Sequence, residues 1–200
     1  MADITVPDGA TGVVIFAHGS GSSRLSPRNR AVARALNHAG FATVLFDLLT
    51  PEEAGDRANV FNIELLTERL REAIGALGDV DALSGASIGL FGASTGAAAA
   101  LCAAAEEGDR ISAVVSRGGR PDLALHRLSA VTAPTLLIVG ALDGPVIELN
   151  ETAYSQLRCE KRLEIVLGAG HLFEEPGTMD RVMELASQWF TLHLSKKASP

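Results

Sequence analysis

Short apolar runs, separated by longer amphipathic stretches, recur along almost the whole chain. The runs are rich in Val, Ile, Leu and Phe, and they are four or five residues long, which is typical of buried strands. An antiparallel edge strand is also expected near the beginning of the chain, at residues 4–6. The other strands are predicted at residues 13–16, 42–46, 88–91, 113–116, 135–139 and 163–166.

The stretches between the strands have helical periodicity. Ile63, Leu66, Leu70, Ile74 and Leu77 repeat every three or four residues, the period of a helix with one apolar face. Because strands alternate with helices, we expect an α/β fold with a doubly wound, mostly parallel sheet flanked by helices. Functional sites in such folds lie beyond the carboxyl ends of the strands. Helices are predicted at residues 28–39, 63–77, 94–106, 150–157 and 178–193.

Composition narrows the class of protein further. Hydrophobic residues make up 47% of the 200 positions, and no internal repeat or linker interrupts them, so we expect one domain over residues 1–200. The longest apolar run, residues 97–105, is far shorter than the roughly 20 residues that span a membrane. The sequence Met1-Ala2-Asp3 lacks the basic and apolar regions of a signal peptide. We therefore expect a cytoplasmic protein without a membrane partner.

Charge and cysteine content exclude other classes of partner. The formal net charge is −7 and no basic block occurs, which argues against nucleic acid as a ligand. Cys102 and Cys159 lie 57 positions apart, so they do not form a paired metal-binding motif. We therefore expect no metal site. The sequence leaves the oligomeric state open, and a homodimer is the candidate assembly.

One glycine-rich segment combines the right context with a nucleophilic side chain. Gly92-Ala93-Ser94-Thr95-Gly96 directly follows a predicted strand and directly precedes a predicted helix. This is the setting of a G-x-S-x-G nucleophile elbow, in which a sharp turn exposes the serine hydroxyl. The alternative is a glycine-rich strand–helix turn that carries an incidental serine.

A serine nucleophile requires a base and an acid that orients the base. The elbow fold predicts the chain order Ser, then Asp or Glu, then His, each just after a strand. Asp143 follows the strand predicted at 135–139, and His171 follows the one at 163–166. We therefore predict Ser94 as nucleophile, Asp143 as acid and His171 as base. Asp47 also ends a strand and is a rival for the acid, although it could instead anchor a loop.

Catalysis by serine also requires N–H donors for the oxyanion that forms on the carbonyl oxygen. The backbone N–H of Thr95, the residue after the nucleophile, is one expected donor. The second should come from the loop after an early strand, which is His18-Gly19-Ser20-Gly21. We assign it to the N–H of Ser20 or, failing that, of Gly21. The alternative is a flexible glycine turn without a catalytic role.

Together, several of these segments resemble the α/β-hydrolase superfamily, and within it the small, capless branch that is similar to dienelactone hydrolase. The resemblance implies a Ser or Cys nucleophile, an Asp, a His, no cofactor and a small-molecule substrate. Dienelactone hydrolases carry Cys at the elbow, whereas this chain has Ser94, so a carboxylesterase is the expected activity. The segments that carry the resemblance are residues 18–24, 92–96, Asp143 and residues 170–173.

Alternative functions remain open at this point. A lactonase, a thioesterase or an acyltransferase would use the same residues, and a non-catalytic α/β-hydrolase-fold module would bind without turnover. A nucleotide-binding oxidoreductase could use Gly89, Gly92 and Gly96 as a glycine fingerprint. However, the next predicted strand ends in Ser116 and not in the acidic residue that this motif requires.

Loop lengths indicate an open site. Only the 18 residues 117–134 separate two consecutive predicted strands, which leaves room for one short helix at 122–129 and none for a cap domain. A polar loop is expected after the strand at 42–46. The expected border of the site comprises residues 20–28, 117–120 and 172–173. The candidates for direct contact with substrate are Gly21, Arg24, Leu172 and Phe173.

Overall fold

The computed structural model describes residues 1–194, which form a seven-stranded sheet with helices on both faces. The strand order is β1-β3-β2-β4-β5-β6-β7, and every neighbouring pair is parallel except β1 and β3. This confirms the doubly wound, mostly parallel sheet. The last six residues of the predicted domain lie outside the described residues. The strands are β1 Ala2–Thr5, β2 Gly12–Ala17, β3 Ala42–Phe46, β4 Ser87–Ala93, β5 Ile111–Arg117, β6 Thr135–Gly140 and β7 Lys161–Val166.

Two buried clusters hold the helices against the sheet. Helices α1 and α7 cover one face, where Leu36 and Phe190 are fully buried. Helices α4, α5 and α6 cover the other face. The helices are α1 Pro27–His38, α2 Pro51–Ala54, α3 Arg57–Val60, α4 Ile63–Ala76, α5 Thr95–Glu107, α6 Gly144–Gln156 and α7 Thr178–Leu194.

Helix α5 is apolar on all sides because it lies in the middle of the molecule. Its first ten residues are all buried, and most of them are alanine or glycine. Small side chains let the helix approach the sheet closely, which fixes its N-terminus against the end of β4. The nucleophile candidate Ser94 lies at this junction.

Three segments differ from the sequence prediction. Helix α6 begins at Gly144, six residues earlier than expected, because Pro145 is compatible with the first turn of a helix. The helix predicted at 122–129 is wrong, since the segment forms only two short 3₁₀ turns. The expected polar loop after β3 contains the one-turn helices α2 and α3. The side chains of Thr50 and Asp56 cap these two helices.

Within residues 1–194, no helix is both long enough and apolar enough to span a bilayer.

Candidate active site

Ser94 lies in a strained turn between β4 and α5. Its backbone has φ 50° and ψ −122°, a conformation that residues other than glycine rarely adopt. A Cβ atom at Gly92 would collide with the backbone of Ala97, and one at Gly96 would collide with the carbonyl oxygen of Ala17. The two flanking glycines are thus required by close packing. Strain of this kind is concentrated at functional sites, which favours a nucleophile elbow over an incidental serine.

Backbone hydrogen bonds fix this turn on both sides. The carbonyl oxygen of Ser94 accepts hydrogen bonds from the amides of Ala97 and Arg120, each at 3.1 Å. The amide of Ser94 donates to the carbonyl oxygen of Arg117 at 3.3 Å. The position of the hydroxyl is therefore set by the sheet and not by a free loop.

Asp143 and His171 form a hydrogen-bonded pair at the carboxyl ends of neighbouring strands. Asp143 is the N-cap residue of α6, and His171 lies in the loop after β7. The distance between His171 Nδ1 and Asp143 Oδ2 is 2.6 Å. Because a carboxylate only accepts hydrogen bonds, Nδ1 carries the proton, and Nε2 is left as an acceptor in the neutral ring. This is the tautomer that a general base requires.

Ser94 and His171 line the same cavity, which has a volume of about 220 Å³. Within residues 1–194, no hydrogen bond joins the Ser94 hydroxyl to the His171 ring. Hydrogen bonds between a nucleophile and its base are often longer in free enzymes and shorten when substrate binds. The structure therefore brings together the three predicted residues, one pair by a hydrogen bond and the third by a shared cavity.

Asp47, the rival acid, is engaged elsewhere. The amide of Arg24 donates to its Oδ1 at 2.8 Å, and the Arg24 guanidinium contacts its Oδ2 at 2.5 Å. Burial alone would raise the pKa of Asp47, but these hydrogen bonds hold it below its usual value. Asp47 thus anchors a loop through Arg24. The side chain of Arg24 braces this carboxylate, and its contact with substrate stays a prediction.

The loop after β2 is braced by His18. The ring accepts a hydrogen bond at Nε2 from the amide of Leu48, at 3.0 Å, and its Nδ1 lies 3.0 Å from the carbonyl oxygen of Gly19. Burial lowers the pKa of His18, so the neutral ring is favoured. A neutral ring with one donor and one acceptor satisfies both backbone groups. This loop is therefore an ordered element and not a flexible glycine turn.

The two residues that carry the predicted oxyanion donors are joined by a hydrogen bond. The amide of Ser20 donates to the hydroxyl oxygen of Thr95 at 2.9 Å. Thr95 is the first residue of α5, where backbone N–H groups have no partner within the helix. The Ser20 N–H is thus bonded to the side chain of the residue after Ser94, and its role as an oxyanion donor stays a prediction.

The other groove candidates differ in position. Leu172 lines the Ser94 cavity and is 41% exposed, as expected for a substrate contact. Phe173 is 2% exposed and packs in the core, with φ 55°, so its prediction as a groove residue is corrected. Gly21 lies at a different cavity.

That second cavity was not predicted from the sequence. It has a volume of about 320 Å³, and its wall is formed by the loop after β2, the segment after β3, α2, the end of α3 and the beginning of α4. The segment after β3 is rich in polar residues, but its apolar residues line the cavity. The spacing of these apolar residues was the signal in the sequence that could have predicted the cavity. The cavity shares Gly19, Ser20 and Ser22 with the Ser94 cavity. Its apolar lining residues are Leu48, Leu49, Pro51, Ala54, Val60 and Leu66.

Residue types that commonly bind metal ions are spread over the described part of the chain. In the part of the chain that the structure describes, no three His, Cys, Asp or Glu side chains form a group that could hold a metal ion. Cys102 is buried, and its pKa is raised to about 11 by that burial. Thiolate chemistry at neutral pH is therefore not favoured at this position.

Two proteins of Mycobacterium tuberculosis, from strains CDC 1551 and H37Rv, are each 57% identical to this chain over 191 residues. Both are named provisionally as phosphoribosyl transferases. The match covers 96% of this chain but only 43% of each relative, so the chain spans less than half the length of these curated relatives.

Solved structures and a family model agree on the fold. A crystal structure of dienelactone hydrolase from Anabaena variabilis is 55% identical, with a TM-score of 0.91, over 96% of this chain and 91% of that chain. A monoacylglycerol lipase from Paleococcus ferrophilus shares the fold at 18% identity, with a TM-score of 0.77, over 96% and 98% of the two chains. The model of the α/β hydrolase fold matches residues 12–128. The chain therefore belongs to the α/β-hydrolase fold family, in the capless branch that is similar to dienelactone hydrolase.

Proposed function

We propose that the protein is a serine hydrolase that cleaves small carboxylic esters through an acyl-enzyme intermediate. The hydrogen bond between His171 and Asp143 carries this proposal, because it prepares Nε2 as a base in the cavity that holds Ser94. Membership of the α/β-hydrolase fold family supports a hydrolase in general.

The proposed reaction uses His171 twice. In the first half, Nε2 removes the proton from the Ser94 hydroxyl while Oγ attacks the carbonyl carbon of the ester. The tetrahedral intermediate then collapses, and His171 returns the proton to the departing alcohol. In the second half, His171 takes a proton from water while the water oxygen attacks the carbonyl carbon of the acyl-enzyme. The bond to Ser94 Oγ then breaks, His171 returns the proton to Oγ, and the carboxylic acid is released. Asp143 stabilises the imidazolium that forms in each half.

The proposed oxyanion hole consists of the backbone N–H groups of Thr95 and Ser20. Without substrate, the Thr95 hydroxyl accepts the hydrogen bond of Ser20 and holds that N–H near the elbow. An ionised oxygen accepts hydrogen bonds more strongly than a neutral hydroxyl. The oxyanion can therefore displace the Thr95 hydroxyl from the Ser20 N–H during the reaction.

A lactonase is the second candidate, favoured by the similarity to a protein named dienelactone hydrolase at 55% identity. A lactone is a cyclic ester, so the same residues would open it, and the leaving alcohol would remain attached to the acyl group. The transferase name of the mycobacterial relatives belongs to much longer proteins, of which this chain matches 43%.

The proposal is tested by the turnover of 4-nitrophenyl acetate with the purified 200-residue chain. Ser94→Ala should lower kcat/KM by roughly 10³-fold or more, while the far-UV circular dichroism spectrum stays unchanged. Ser155→Ala is the matched control, since this exposed hydroxyl on α6 bonds only to its own helix. Full turnover by a correctly folded Ser94→Ala variant would overturn the proposal.

A further inference from the structure

Within residues 1–194, Arg117 is a buried cation without a carboxylate partner. It is the last residue of β5 and is 6% exposed. Its guanidinium donates one hydrogen bond, to Oδ1 of Asn29 at 3.2 Å. Among the described residues its Nε has no hydrogen-bond partner at all. Buried arginines are normally paired with an acid, because the desolvation of an unpaired charge is costly.

The charge of Arg117 persists at neutral pH. Burial, and to a smaller extent the nearby Arg28, lowers the pKa of Arg117 to about 10. At pH 7 the guanidinium is therefore still protonated. Its ring contact is also weak compensation, since the guanidinium carbon lies 6.0 Å from the centre of the Phe173 ring.

Other positive groups lie around the same space. Arg117, Arg28, Asn29 and Ser26 line the cavity that contains Ser94. Ser26 is the N-cap residue of α1, so the first turn of this 12-residue helix faces the cavity with its positive dipole end. Arg28 also pairs with Glu174 at 2.9 Å, but Glu174 is 65% exposed and is therefore well hydrated. The end of the cavity at α1 thus attracts anions.

We propose that this end of the cavity is a subsite for a negatively charged group of the substrate, a phosphate or a carboxylate. Arg117 supplies the buried charge, and Arg28 together with the α1 N-terminus supplies the outer side of the subsite. The proposal rests on the proposed hydrolase function, because it places the anion beside the ester that Ser94 attacks. It narrows the substrate class to esters that carry an anionic group on the acyl or the alcohol side.

A purely structural Arg117 makes a different prediction. If the guanidinium only packed on Phe173 and bonded to Asn29, the hydrolysis rate would not depend on the charge of the substrate. An anion subsite instead couples kcat/KM to that charge, because the anion replaces the missing acid partner of Arg117. The comparison of two substrates therefore separates the two roles.

The experiment measures kcat/KM for mono-4-nitrophenyl succinate and for its neutral methyl ester, which share the scissile bond and the leaving group. The wild-type chain should prefer the anionic ester by at least about tenfold, which corresponds to about 1.4 kcal/mol. Arg117→Gln and Arg28→Gln should each reduce this preference severalfold, mainly through KM for the anionic ester. Arg30→Gln, which removes an exposed arginine of the same helix that pairs with Asp3, should keep it.

Competition experiments then distinguish the two anions. Inorganic phosphate and succinate are tested as competitive inhibitors of the neutral ester, and the stronger inhibitor identifies the preferred group. If Arg117→Gln fails to fold, the wild-type preference and the Arg28→Gln variant still decide. A wild-type ratio near one, or a ratio that both variants leave intact, would overturn the subsite alone. No turnover of either ester, with Ser94 inert to a fluorophosphonate, would instead overturn the proposed hydrolase.

Discussion

Two cavities meet at the loop of residues 19–22, and they differ in both chemistry and origin. The Ser94 cavity is the more polar of the two and is lined by the carboxyl ends of β4 and β5, the loop after β7, the loop after β2 and the first turn of α1. The larger cavity is apolar and is built from the segment that follows β3, with Leu48, Leu49 and Val60 in its wall. Groups that could react thus come from the ends of the strands. Groups that could select a carbon chain come mainly from the irregular segment after β3.

Ser20 lines both cavities, and its amide donates a hydrogen bond to the hydroxyl of Thr95, which lines the apolar cavity. A substrate bound at Ser94 would therefore have a cationic pocket on one side and an apolar pocket on the other. The predictions below test this division, beginning with the largest effect.

The two carboxylates that follow β3 and β6 should behave oppositely. Asp143→Asn should reduce kcat/KM for 4-nitrophenyl acetate by about 10⁴-fold, because the amide leaves His171 in the wrong tautomer. Asp47→Asn should keep hydrolysis within a few fold and lower Tm by a few degrees, because it weakens the contact with Arg24. Steady-state kinetics and thermal melts of both variants provide the comparison. An inactive Asp47→Asn variant beside an active Asp143→Asn variant would show that the wrong acid was assigned.

The apolar cavity should set the preferred acyl length. We expect kcat/KM for 4-nitrophenyl esters to rise about fourfold per methylene, from acetyl to about hexanoyl, and then to stop. Val60→Phe should fill the cavity and lower the hexanoyl value by about tenfold while the acetyl value stays constant. Val6→Phe, at an exposed position outside this cavity, is the matched control. An optimum at twelve carbons or longer would mean that the acyl chain occupies a deeper site.

Removal of the hydrogen bond between the Ser20 amide and the Thr95 hydroxyl should have a smaller effect on hydrolysis. Thr95→Val deletes the hydroxyl that holds the Ser20 N–H, so kcat should fall by a few fold to tenfold because the oxyanion donor is less well positioned. Thr95→Ser retains the hydroxyl and should restore most of kcat. Equal kcat values for Thr95→Val and the wild type would show that this hydroxyl does not position the donor.

The smallest predicted effect is on stability at acidic pH. Burial lowers the pKa of His18 in the folded state, so the unfolded state binds more protons as pH falls below the unfolded value of about 6.5. The stabilising contribution of the neutral ring is complete above this pH and is lost as pH falls through it toward the folded pKa. Tm should therefore decrease by a few degrees between pH 7 and pH 5.

A substitution isolates this contribution of His18. His18→Gln keeps an acceptor for the Leu48 amide and removes the titration, so its Tm should depend less on pH than that of the wild type. His38→Gln, at the exposed end of α1, should retain the wild-type pH dependence. Parallel pH profiles for His18→Gln and the wild type would contradict the prediction.

The fold and the central pair of the site follow from local patterns in the sequence. The strands are apolar runs, and Asp143 and His171 each follow such a run, so their meeting at one edge of a parallel sheet is predictable. Residues in irregular segments were harder to place. Phe173 turns into the core because its backbone has a positive φ, which no periodic pattern reveals.

Arg117 shows a second limit of sequence-based prediction. Its place at the end of β5 was predicted as a border of the site, but its lack of an acidic partner depends on residues from α1 and the loop after β7. Such contacts form between residues that are far apart in the sequence, as Arg117 and Asn29 are. The same holds for the apolar cavity, which brings together the loop after β2, the segment after β3 and Leu66 of α4.

The most direct test of the account is covalent labelling of the nucleophile. The purified chain is treated with a fluorophosphonate, and the modified peptide is identified by mass spectrometry. If Ser94 is the nucleophile, one adduct is expected, on Ser94. It should form much more slowly in His171→Ala because the base is missing. An unlabelled Ser94 in the folded wild-type chain, or an adduct on another residue, would contradict the account.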